Sequence, residues 1–93
     1  MQTLASFAAG TGGISDVISA HRQLTKVELD SARTSDERIK VLTAALERAQ
    51  ELESDVKLRF EAGTVSQLSV LQAQQYRMEV EAELAKLQPA SNK

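Results

Sequence analysis

Helix-breaking residues are confined to three places in this chain, and that confinement limits the fold more than any other feature. Gly10, Gly12 and Gly13 sit together near the start, Gly63 stands alone, and Pro89 opens a polar tail, Pro89-Ala90-Ser91-Asn92-Lys93. Long uninterrupted stretches between such residues favour helices. The apolar residues agree. Val17, Ala20, Leu24 and Val27 recur at spacings of three and four, which sets them on one helical face. A second stripe runs through Ile39, Leu42, Leu46, Ala49, Leu52, Val56 and Phe60. The third segment begins near Ser66, a natural N-cap, and reaches about Leu87. It carries two stripes, one of Leu68, Leu71, Met78, Ala82 and Ala85, the other of Val70, Ala73, Val80, Leu84 and Leu87.

The expected fold is all-α: antiparallel helical hairpins, as a three-helix up-down-up bundle with coiled-coil-like packing, over roughly 14–33, 35–61 and 66–87. Composition fits, since 42% of residues are hydrophobic but only 3% are aromatic. Ala, Leu, Val and Ile suit helices lying close together. Gly13 or Ser15 is expected to cap the first helix, and the tail 88–93 is expected to fray. Thr34-Ser35-Asp36-Glu37 matches a capping box, with Thr34 as N-cap and Glu37 three positions on. The stripe also slips phase there, because Ile39 falls one position late. The competing expectation is one unbroken helix from Ile14 to Glu61, since no glycine or proline marks a turn. Asp36 with Lys40, Glu53 with Lys57 and Asp55 with Arg59 are acid-before-base pairs on the expected solvated faces.

These 93 residues make one small helical module, either a domain by itself or a piece of a larger one. Sliding it by 53 positions aligns Phe7-Ala8-Ala9-Gly10-Thr11 with Phe60-Glu61-Ala62-Gly63-Thr64. Val17 then meets Val70, Ala20 meets Ala73, and Val27-Glu28 meets Val80-Glu81. Two copies of a hairpin-turn unit follow, at about 7–30 and 60–83. In each, glycine can take the left-handed conformation that ends a helix. Thr11 and Thr64, or the small polar residues after them, can bond the free N–H groups of the next helix. Phe7 and Phe60 can pack over the turn.

The segment Arg59-Phe60-Glu61-Ala62-Gly63-Thr64-Val65-Ser66-Gln67-Leu68-Ser69-Val70-Leu71-Gln72-Ala73-Gln74 resembles the recurring α-hairpin segment of TolC-like outer-membrane efflux proteins. In that family an aromatic, a small residue and Gly precede a Ser/Thr-rich link, and a long Ala/Gln/Glu-rich helix follows. The family's segment also occurs twice per chain. Asp16-Val17-Ile18 keeps the family's acidic position in the first copy, whereas Ser69 replaces it in the second. The resemblance implies a periplasmic, cell-envelope setting and an efflux-related role. It also implies that Gly10, Thr11, Gly63 and Thr64 form hairpin tips where a protein partner such as an adaptor docks. The family separates its copies by membrane strands and longer helices. Here the only aromatics are Phe7, Phe60 and Tyr76, and no alternating strand pattern exists, so the chain is not expected to be a complete channel.

Charge and chemistry point away from other classes. The formal net charge is −2, with acids and bases interspersed and no basic block, so nucleic-acid binding is not expected. A polybasic membrane-surface helix is absent for the same reason. No apolar run approaches the ~18 residues of a spanning helix, and Met1 to Ala8 lacks the basic start of a signal peptide. Cysteine is absent, and His21 is the only histidine, too few ligands for zinc. Glu47, Glu51, Glu53 and Asp55 cluster, as do Glu79, Glu81 and Glu83, without a nucleophile or an inferable pocket. Gly10-Thr11-Gly12-Gly13 lacks the lysine of a P-loop. Tyr76 and Met78 are expected in the core. No enzyme activity, cofactor or small-molecule substrate is expected. The partner is another protein or a second copy, the latter because the two-striped third helix either broadens its core face or leaves one stripe for a homo-oligomer. The alternative to an efflux-type module is a stand-alone structural or oligomerisation bundle with no transport role.

Overall fold

The computed structural model describes residues 13–87, so the expectations for Gly10, Thr11, Phe7 and the tail lie outside the described residues. Three helices follow one another: α1 (Gly13–Ser31), α2 (Ser35–Glu61) and α3 (Gln67–Lys86). The turn at Thr34 forms, and the unbroken helix does not. Thr34 is extended, with φ −126 and ψ 164. Its Oγ1 accepts the Glu37 N–H at 3.1 Å. Glu37 Oε1 in turn accepts the Arg33 N–H at 2.5 Å, one residue before the cap. Asp36 and Glu37 place negative charge in the first turn, against the positive end of the helix dipole. The Ala32 N–H closes α1 onto the Glu28 and Leu29 carbonyls.

The short link at 32–34 turns α2 back along α1, and the link after Glu61 turns α3 back along α2. Cross-helix bonds show the resulting register. Gln72 Nε2 donates to Ser15 Oγ at 3.3 Å. Arg22 Nη2 donates to Glu79 Oε1 at 2.7 Å. Both pairs are separated by 57 residues, so α1 and α3 run parallel. The chain is an up-down-up bundle of 43 × 29 × 14 Å. Its long axis is set by α2, whose 27 residues span about 40 Å.

The core draws Ile14 and Ile18 from α1, Ala45, Ala49, Leu52 and Val56 from α2, and Ala73, Tyr76 and Val80 from α3. Ala45, Ala49 and Ala73 have no exposed surface. Small side chains there let the backbones approach closely, which is why so few aromatics suffice. The α2 stripe faces inward as expected, except that Phe60 at its end is 43% exposed. In α1 the buried row is Ile14, Ile18 and Thr25. The expected row of Val17, Ala20, Leu24 and Val27 turns outward from Ala20 on, with only Val17 packed against the core. In α3 the Val70, Ala73 and Val80 row faces inward with Tyr76. The other row is exposed, Leu68 by 62%, Leu71 by 52% and Met78 by 57%, so Met78 is not a core residue.

Candidate functional site

The end of the bundle that carries Gly63 is built by two overlapping caps. Gly63 has φ +81. A Cβ there would meet nothing within 4 Å, so glycine is required by the backbone rather than by space. The Gly63 N–H donates to the Phe60 carbonyl and the Thr64 N–H to the Arg59 carbonyl, each at 2.9 Å. That pair of bonds is the Schellman pattern, which satisfies the last carbonyls of α2. Thr64 Oγ1 also donates to the Arg59 carbonyl, at 3.0 Å. Thr64 therefore closes the helix behind it and does not cap the one ahead. Ser66 does that, with Oγ accepting the Ser69 N–H at 3.3 Å. Val65 and Val70 flank that cap at staple positions, and both pack against the core. Ala62, Gly63 and Thr64 remain exposed.

The start of α1 lies at the same end of the bundle. Under the 53-residue alignment Gly13, the first residue of α1, is equivalent to Ser66, the N-cap of α3, so the two repeat helices begin within one position of each other. Their spatial offset is 57, however. The start of α1 is thus set a little under one turn, or ~4.5 Å, deeper than the start of α3. Of the four tip residues, Gly63 and Thr64 occupy one tight turn, while Gly10 and Thr11 lie outside the described residues.

The acidic clusters disperse on the three-dimensional surface. Glu79 pairs with Arg22, Glu81 with Arg77 and Glu83 with Lys86. Glu47 and Glu51 face outward, but Glu53 is only 7% exposed, so the expectation of a solvated Glu53–Lys57 pair fails. Glu53 accepts a 2.5 Å bond from Arg77 Nε and lies 3.4 Å from Lys57 Nζ. Burial raises the Glu53 pKa, but the hydrogen bonds from Arg77 and Lys57 outweigh it and leave the carboxyl below its usual range. This cross-helix bond ties α2 to α3.

A second polar cluster lies between all three helices. The His21 and Tyr76 rings are 6.0 Å apart, and Arg22 Cζ lies 5.6 Å from the Tyr76 centroid. Arg48 Nη2 donates to Thr25 Oγ1 at 3.2 Å and lies 3.6 Å from Glu28 Oε1. His21 Nδ1, Arg48 Nε and Tyr76 Oη are buried with no hydrogen-bond partner among the described residues. Next to this cluster is a groove of about 420 Å³. Arg22, Lys26 and Arg38 line it together with Asp30, Glu79 and Glu83, so its charges balance and favour neither sign of ligand. No group of three or more His, Cys, Asp or Glu able to hold a metal occurs among the described residues.

Burial lowers the His21 pKa, and the Arg48 charge lowers it further. The unfolded chain therefore binds this proton at a higher pH than the folded chain. Stability is complete above the unfolded value near 6.5 and falls as pH drops toward the folded value. Urea unfolding midpoints are expected to decline between about pH 7 and pH 5, and His21→Gln to flatten that decline. An unchanged slope in the variant assigns the effect to other groups.

No helix among the described residues is long and apolar enough to cross a membrane. No protein-family profile, curated protein or solved structure matches this chain.

Proposed function

We propose that this chain is a non-catalytic, TolC-like helical hairpin module of the cell envelope that acts through protein contact at its Gly63 end, in an efflux-related setting. The observation that carries this reading is the parallel register of α1 and α3, which puts the start of α1 at the same end of the bundle as the exposed turn at Ala62-Gly63-Thr64. Two repeat-related helix starts at one end form a composite surface, as paired hairpin tips do. In the unbroken-helix alternative the two turns would lie roughly 70 Å apart and could not share a partner. The tip is also closed by its own hydrogen bonds, so a partner meets a preformed shape. The envelope setting, the adaptor-type partner and the roles of Gly10, Thr11, Gly63 and Thr64 come from the resemblance at Arg59 to Gln74.

A photo-reactive amino acid in place of Ala62 tests the tip, because Ala62 is exposed and has ordinary helical backbone angles. The same probe in place of Glu47, on the outer face of α2, serves as the control. In the native cells, one dominant cross-linked protein is expected from the Ala62 probe, in the envelope fraction, and none from the control. Equal labelling at both positions, or a chain recovered only from the cytosol, would count against the reading. A stand-alone oligomerisation bundle is the second reading, and the exposed apolar row of α3 favours it.

A further inference from the structure

We propose that the outer face of α3 is the docking surface for a second copy of this chain, laid antiparallel to the first. The surface goes beyond the tip, because it lies on the side of α3 turned away from the core. Its residues are Leu68, Leu71, Gln75, Met78, Ala82 and Ala85, spaced 3-4-3-4-3. That is the a/d spacing of a helix seam, and a strict seam of this kind packs against another helix rather than against a broad core. Leu68, Leu71 and Met78 are each more than half exposed although they are the bulkiest side chains of the row. No other described element covers them.

A size gradient along the row selects a second copy of the same row as occupant, and its direction. The N-terminal end holds Leu68 and Leu71 and the C-terminal end holds Ala82 and Ala85. Parallel copies would oppose leucine with leucine at one end and leave an alanine gap at the other. Antiparallel copies oppose Leu68 with Ala85, Leu71 with Ala82 and Gln75 with Met78, which evens the spacing along the contact. Every residue then meets another member of the same row, so the pair closes on a two-fold axis. Charge does not oppose this choice, because Glu79, Glu81 and Glu83 in the alanine half are each paired, with Arg22, Arg77 and Lys86.

The row is about 26 Å long, and a contact of that length lies at the small end of specific interfaces. Gln75 near its centre weakens the seam and helps set its register. Association on the order of micromolar is therefore expected.

Sedimentation of the full chain over a wide concentration range is expected to show a monomer–dimer equilibrium. Leu71→Glu should abolish the dimer while leaving the helical circular dichroism unchanged, since Leu71 is exposed. Gln75→Leu should tighten association at least about tenfold. The absence of native cysteine allows the direction to be read. A Leu71→Cys chain mixed with an Ala82→Cys chain should form the mixed disulfide in preference to either homodimer. Monomer at every concentration leaves the face to another occupant and overturns the proposal. Dimer that survives Leu71→Glu but is lost in Val27→Glu moves the contact to α1 and overturns it equally. Preferential Leu71→Cys homodimers overturn the antiparallel arrangement.

Discussion

Tyr76→Ala is expected to cost about 3–5 kcal/mol of stability, the largest single effect in the molecule. Tyr76 is the only aromatic in the core among the described residues, is 2% exposed, and meets the His21 ring from α1. Removing its ring leaves a cavity where α1 and α3 pack, and α1 makes the thinner contacts of the bundle. A domain of this size holds only some 5–10 kcal/mol in total, so the variant should be largely unfolded or lose α1 docking first. Tyr76→Phe isolates the hydroxyl. Because Tyr76 Oη has no partner among the described residues, its loss should change stability by less than about 1 kcal/mol. Urea unfolding followed by circular dichroism separates the two outcomes. A large loss in Tyr76→Phe would show that the hydroxyl, and not the ring, anchors the site.

The same substitution made on opposite faces of α3 is expected to give opposite results. Ala73 is fully buried where α2 and α3 approach. Ala73→Leu must push these helices apart and should destabilise by about 1–3 kcal/mol. Ala82 is exposed, and Ala82→Leu should stay within about 0.5 kcal/mol in dilute solution. Thermal unfolding of the two variants beside the parent decides the matter. Equal effects would mean that α3 is turned on its axis relative to the arrangement described here.

Much of the backbone plan was legible because it rests on short-range chemistry. Thr34 and Glu37 satisfy the N–H groups at one helix start, and they do so whatever packs nearby. Gly63 is the sole described residue in a long helical stretch able to take φ near +81 cheaply, so it ends α2. Ser66 caps α3 for the same local reason as Thr34. Thr64 was half legible. Its place in the turn was clear, but a hydroxyl near a helix junction can serve the carbonyls behind or the N–H groups ahead, and the Schellman geometry chose the carbonyls.

The buried polar residues are not legible from periodicity, which counts apolar side chains. In α1 the row of Val17, Ala20, Leu24 and Val27 is the more apolar one, yet the core face carries Ile14, Ile18 and Thr25, with His21 half-buried between them. Thr25 can occupy it because Arg48 reaches across from α2 to bond its hydroxyl. In the sequence Glu53 reads as half of a solvated pair, whereas in the fold Arg77, from another helix, bonds it. No signal in α1 or α2 alone announces a partner 23 or 24 residues away.

By itself, then, the sequence determined that the chain is helical, where its third helix begins, and that the Gly63 turn is a tight reversal, while the break at Thr34 stood beside an unbroken helix as an equally local alternative. Those features depend on caps, glycine conformation and helical spacing, all settled within a few residues. Only the tertiary structure decided which of two apolar rows in α1 and in α3 faces inward. Both rows have helical spacing, so local energetics cannot separate them. The choice falls to close approach at Ala45, Ala49 and Ala73, to the Tyr76 ring, and to the cross-helix bonds of Arg48 and Arg77. That choice leaves Leu68, Leu71 and Met78 on the outside of α3, where the capacity for contact with another chain resides.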